Sequence, residues 1–197
     1  MEYFFILSFL VLGAGIKFVD AAYDDHAFSK RTALLAAPLL GSLWAYTMYV
    51  DAVSATILCA ILAGVLLKGK IDNWAHLAGL GVIGGVLVVS GVHLLILPLI
   101  ILAASALLDE VGNDAIDKRR SRLQHKGTPG TALLMFFDHR WTLKVAILAL
   151  AALGMIPIVF FFAMLCFDYA YLGMRWYSDI RLSRQPSHAT VPKTTLA

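Results

Sequence analysis

Charge is scarce in this chain. Only 15% of its 197 residues are charged and 60% are apolar, with a mean hydropathy of +0.78. Soluble domains carry about a quarter of their residues as charges, so an ordinary soluble domain is excluded. Cysteine is nearly absent too. Cys59 and Cys166 each lie inside an apolar run, which makes them packing residues and leaves no disulfide framework. No CxxC, HExxH, GxSG or glycine-rich phosphate loop occurs, so none of the chemistries those motifs carry has its usual signature. There is no convincing internal repeat. Met1-Glu2 lacks a basic n-region and no small-residue cleavage site precedes Lys17, so residues 3–19 are expected to stay as a first span.

What the chain has is apolar runs. Beyond 3–19 they cover residues 32–50, 52–67, 74–90, 93–108 and 142–175. A helix rises about 1.5 Å per residue and a hydrocarbon core is about 30 Å thick. The expected fold class is therefore all-α, a polytopic transmembrane helical bundle over residues 1–177. It has six to seven membrane segments, depending on whether 142–175 crosses once or breaks at Gly154-Met-Ile-Pro157. The stretch 74–108 is too long for one comfortable span and is split at Ser90-Gly-Val-His93. Residues 131–137 form an interfacial patch, and the polar tail 178–197 is expected to be disordered. Asp51 is expected to cap the third span, and Asp25, Asp72 and Asp138 are N-cap candidates. Gly81 and Gly85 form a GxxxG, read as a helix-packing signal.

The cations give an orientation. Lys17, Lys30, Arg31, Lys68, Lys70, Lys118, Arg119, Arg120, Arg122, Lys126, Arg140 and Lys144 all fall on one side of the alternating spans, and the other side holds none before residue 170. The positive-inside rule then places the polar segments 20–31, 68–73 and 109–141 in the cytoplasm and the N-terminus outside. Trp44, Tyr46 and Tyr49 suit the outer aromatic belt, and Trp74 and Trp141 the inner one.

That orientation gathers acids. Asp20 with Asp24, and Asp72 with His76, are spaced i,i+4 and share a helical face, while Asp109, Glu110, Asp114 and Asp117 follow on the same side. Carboxylates close to hydrocarbon are costly unless used. Oxygen ligands favour Mg²⁺, Mn²⁺ or Ca²⁺, and an added histidine shifts the preference toward Zn²⁺, Mn²⁺ or Fe²⁺. The candidate metal ligands are Asp20, Asp24, Asp72, Asn113 and Asp117. His76, Asp109 and Asp117 are the candidate catalytic groups, and Arg119, Arg120 and Arg122 the candidate phosphate clamp. Caps, a solvated loop and a topology signal account for the same residues without chemistry. Asp168 is an intramembrane acid if the last stretch is continuous, and a belt residue if it is not.

Asn113-Asp-Ala-Ile-Asp117 resembles the start of the NDxxDxxxD motif of UbiA-type membrane prenyltransferases. In that family Asp-rich motifs at cytoplasmic helix ends hold Mg²⁺ against a prenyl diphosphate. The resemblance implies Asn113 and Asp117 on the metal side, with Asp20 and Asp24 standing for a second Asp-rich motif. Ser121 stands where the family's last Asp is expected, and the chain has fewer spans than that nine-helix fold. Asp72-Asn-Trp-Ala-His76-Leu-Ala-Gly79 is similar to the histidine-bearing helix of rhomboid proteases, but the missing GxSG nucleophile argues against that activity.

Three functions are thus expected from the sequence, in this order. The first is a metal-dependent transferase or hydrolase of an isoprenoid or lipid diphosphate, with Mg²⁺ as cofactor. The second is a cation transporter or channel, and the third a structural or accessory membrane subunit. Expected partners are membrane lipid, the diphosphate substrate and a second copy of the chain in a homo-oligomer. Nothing points to nucleic acid.

Overall fold

A computed structural model describes residues 2–67, 69, 73–119 and 128–184, the side chains of Asp117, Thr128, Pro129 and Asp138 apart. The described residues form eight helices and no strand: α1 (Glu2–Tyr23), α2 (Lys30–Val50), α3 (Ala52–Leu67), α4 (Trp74–Ser90), α5 (Ile96–Asp117), α6 (Thr128–Asp138), α7 (Trp141–Ala152) and α8 (Val159–Ser183). The described residues are thus all-helical, as the apolar runs led one to expect.

Three helices, α1, α2 and α5, are long and apolar enough to cross a hydrocarbon core, fewer than the six to seven segments expected. The shortfall lies in helix length. The apolar helices α3, α4 and α7 have 16, 17 and 12 residues. At about 1.5 Å per residue they reach about 24, 26 and 18 Å, against a core of about 30 Å. Helix α8 has 25 residues but carries Asp168, Arg175, Asp179 and Arg181.

Helix ends follow local chemistry. Asp51 accepts the Ser54 amide at 2.7 Å and so caps α3, as expected. Ser29, and not Asp25, precedes α2, and Asp25 pairs with Lys17 at 3.2 Å. Asn73 caps α4 by accepting the His76 amide at 2.9 Å; Asp72 lies outside the described residues. Helix α4 ends at Gly91 in the left-handed region, φ 62°, the conformation glycine tolerates best. The segment to α5 is held by the Leu95 amide donating to Thr56 Oγ1 at 3.0 Å. The last apolar stretch does break: Gly154 turns at φ 70° and Pro157 precedes α8. Residues 178–183, expected in a disordered tail, continue α8, and residues 185–197 lie outside the description.

Close backbone approaches set the packing. Helix α1 lies along α8, α2 along α4, and α3 along α5. A Cβ on Gly13 would collide with the backbone of Phe167, and one on Gly41 would stand 2.7 Å from the Gly79 carbonyl oxygen. Only glycine allows these crossings. The expected GxxxG does not do this: Cβ atoms on Gly81 and Gly85 would meet open space. The contact face of α4 runs through Ala75 and Gly79 instead. The core joins Phe9 and Leu12 of α1, Ile57 and Leu58 of α3, Leu102 of α5, Leu143 and Ile147 of α7, and Phe160 and Phe167 of α8.

Candidate functional site

One end of the α1–α2–α4 packing opens into a cavity of about 460 Å³. Its deep wall is apolar, from Leu12, Ile16, Trp44, Ile61, Leu62 and Ile83, and its other end is polar, from Lys17, Asp20, Asp24, His76, Glu110, Arg140 and Tyr171. The size falls within the usual range of small-ligand sites, about 300–1,000 Å³.

Asp20 is the centre of the polar end. Its Oδ1 lies 3.2 Å from His76 Nε2 and its Oδ2 3.5 Å from the Tyr171 hydroxyl, which donates to it. The tautomer of His76 follows from the cap of α4. Asn73 uses its Oδ1 to accept the His76 amide, which turns its Nδ2 toward the imidazole, 2.6 Å from Nδ1. An amide nitrogen can only donate, so Nδ1 accepts and the ring proton sits on Nε2, facing Asp20. His76 and Tyr171 therefore both point protons at one carboxylate, which fixes Asp20 in place. With both ring nitrogens engaged, His76 joins a metal only by giving up one of these bonds.

Arg140 closes the far side. It begins α7 with φ 48° and ψ 49°, an uncommon backbone for a residue with a side chain. Such conformations concentrate at functional sites. Its guanidinium pairs with Glu110 at 3.1 Å and lies over the Tyr171 ring, 5.3 Å from the centroid. Burial works against its charge, and Glu110 above all, helped by Tyr171 and Asp168, holds its pKa above the ordinary guanidinium value. It stays cationic.

Asp109, next to Glu110, is used differently. It is 1% exposed, and its two oxygens accept the backbone amides of Thr142 at 3.0 Å and Leu143 at 2.8 Å. It caps α7 from a neighbouring helix, the task expected of Asp138, and does not line the cavity. Behind it, Lys144 of α7 and Asp168 of α8 form a buried ion pair, with the Lys144 ammonium over the Trp141 ring.

The sequence-predicted residues thus separate. Asp20, Asp24 and His76 come together at the cavity. Asp109 is a helix cap, Asn113 lies half-buried further along α5 away from the cavity, and Arg119 is exposed beyond the end of α5. The Asp117 side chain, Arg120 and Arg122 lie outside the description. Among the described residues no three His, Cys, Asp or Glu side chains gather as a metal cage. Sequence reasoning missed Glu110, Arg140 and Tyr171 as site members. One signal was present: Asp109 and Glu110 are adjacent, so on a helix they point about 100° apart and cannot share one task.

No family model, curated protein or solved structure matches this chain.

Proposed function

We propose that the chain is a multi-pass membrane enzyme that acts on a lipid or isoprenoid phosphate ester at the cytoplasmic interface. The observation that carries this is the amphipathic cavity, with an apolar wall deep enough for hydrocarbon and a polar end of fixed carboxylate, histidine and arginine. The shorter helices α3, α4 and α7 would add to the membrane segments with α8, and the one-sided cations support a cytoplasmic polar end.

Asp20 and Asp24 are one turn apart and line the same cavity. Mg²⁺ is usually held by one or two carboxylates together with substrate phosphates, and does not need an all-protein cage. The pair is suited to a Mg²⁺ that arrives with a diphosphate, where the ion would supply charge neutralisation. His76 and Tyr171 hold Asp20 in place for it. Arg140, whose guanidinium lies over the Tyr171 ring that bonds Asp20, takes the phosphate-anchoring role expected of Arg119, Arg120 and Arg122, its planar fork matching phosphate oxygens.

The test is phosphate or diphosphate release from a panel of lipid and isoprenoid phosphates by the reconstituted protein, with and without Mg²⁺. Asp20→Asn and Arg140→Gln should each abolish turnover while the protein stays folded. Turnover that ignores both substitutions would exclude this site.

A second reading, a cation transporter, is favoured by one observation: the Lys144–Asp168 pair is buried among apolar helices, where ionisable groups often mark an ion path. Cation flux into liposomes that Asp168→Asn stops would favour it over the enzyme.

A further inference from the structure

Helix α1 has a poor end of its own. Its last turn carries Asp20 and no cation, and Asp24 and Asp25 follow directly. Carboxylates at a helix C-terminus oppose the macrodipole, and helix ends fray. The turn is nevertheless kept: the Asp24 amide donates to the Asp20 carbonyl at 2.8 Å, one helical bond beyond Tyr23.

The next residues explain why. The chain reverses through His26, at φ 55°, and the Ala27 amide donates back to the Ala21 carbonyl at 2.9 Å, with Ala27 itself buried. Phe28 then reaches α8. Its ring centroid lies 4.8 Å from that of Phe18, and 6.0 Å from that of Tyr177 with the two planes only 23° apart. The Arg181 guanidinium stands 5.0 Å from the same ring, a cation–π contact. Tyr177 and Arg181 are spaced i,i+4, so one face of α8 presents both. Asp20 is fixed from its sides by His76 and Tyr171. Asp24 lies just past the last residue of α1 and lines the cavity, so its backbone is placed by the reversal that follows it.

We infer that Phe28 is a positioning residue: gripped by Tyr177 and Arg181, it keeps the end of α1 helical and so keeps Asp24 at the cavity beside Asp20. The far end of α8 thereby sets how tightly the carboxylate pair holds an ion. This rests on the reading above that Asp20 and Asp24 bind Mg²⁺ with a lipid diphosphate.

The experiment is a calorimetric Mg²⁺ titration of the purified full-length protein in micelles containing farnesyl diphosphate. Phe28→Ala should weaken Mg²⁺ about fivefold, because the freed turn has to be ordered again on binding. Phe28→Tyr keeps the ring and should match the wild type. Asp24→Asn should leave weaker binding at Asp20, and adding Phe28→Ala to it should change nothing more. No loss in Phe28→Ala, an equal loss with and without Asp24, or a Phe28→Tyr as weak as Phe28→Ala would overturn the positioning role while the metal reading stands. If Asp24→Asn removes all binding, the comparison of Phe28→Tyr with Phe28→Ala decides. If Phe28→Ala does not fold, Arg181→Ala takes its place, trimming only an exposed side chain. It should weaken Mg²⁺ about twofold where Asp24 is present and not in Asp24→Asn, and any other pattern overturns the role. No Mg²⁺ binding by the wild type, or binding that Asp24→Asn leaves unchanged, would remove the metal reading of Asp24 and the positioning role with it.

Discussion

Two groups of charges in this apolar chain live in different surroundings. Around Asp109, Lys144 and Asp168 the charges are sealed between α5, α7 and α8, every one at most 5% exposed. Around Asp20 and His76 the side chains are about a fifth exposed, 22% and 23%, and open on a cavity. The sealed group satisfies itself: carboxylate oxygens meet backbone amides and an ammonium. The open group is only partly closed, with donors aimed at a carboxylate that still faces free space. In a membrane chain an ionisable residue is a functional candidate by default. What separates the structural charges from the candidate functional ones here is whether their partners close the set.

The comparison breaks most readily at Asp168. Asp168→Asn leaves the Lys144 ammonium buried without its counter-charge, and unfolding in micelles should come about 3–5 kcal/mol earlier. The double replacement Lys144→Met/Asp168→Leu should recover most of that loss, because two desolvated charges are replaced by packing. Should the double variant be as unstable as the single, the pair is more than a structural element.

Asp109→Ala comes next. It strips the cap from α7 and leaves the Thr142 and Leu143 amides unmet, a loss of about 2 kcal/mol. Lipid binding per folded molecule should be unchanged, which a titration of the surviving folded fraction checks.

Asp20→Asn reverses the pattern. Its partners are part-exposed, so stability should change by less than about 1 kcal/mol. Mg²⁺-dependent turnover should fall by at least about a hundredfold, as expected for loss of an electrostatic group in a site. A large stability loss with intact turnover would move Asp20 into the sealed class.

The smallest effect is expected on the far face of α4. Gly81→Ala and Gly85→Ala meet open space and should stay within about 0.5 kcal/mol of wild type, or gain slightly from helix propensity. Gly13→Ala, which meets the Phe167 backbone, should be far worse in the same thermal unfolding assay.

These cases show what was legible in the sequence. Apolar runs were readable because they are local, as was the cap at Asp51, while the Gly154–Pro157 break was readable only as one of two alternatives. Asp20, Asp24 and His76 were readable as a set because the expected alternation of spans puts them on one side. The tasks of Asp109 and Glu110 were not, since they depend on where α7 begins, 33 residues after Asp109 at the Thr142 amide. Arg140 and Tyr171 were hidden for the same reason: a left-handed turn and a helix crossing bring them to Asp20, and neither leaves a periodic signal. The glycines were misjudged because a motif says that close approach is possible, and only the neighbouring helix decides which glycine uses it.

The central claim is that Asp20 and Asp24, and not the sealed acids, hold the ion that a phosphate-bearing lipid brings. It is tested most directly by calorimetric titration of the purified protein with Mg²⁺, with and without a short-chain lipid diphosphate, beside the Asp20→Asn/Asp24→Asn double variant. The account predicts Mg²⁺ binding that appears or tightens strongly with the diphosphate and is lost in the double variant. Absence of binding under both conditions, or binding that the double variant retains in full, would contradict it.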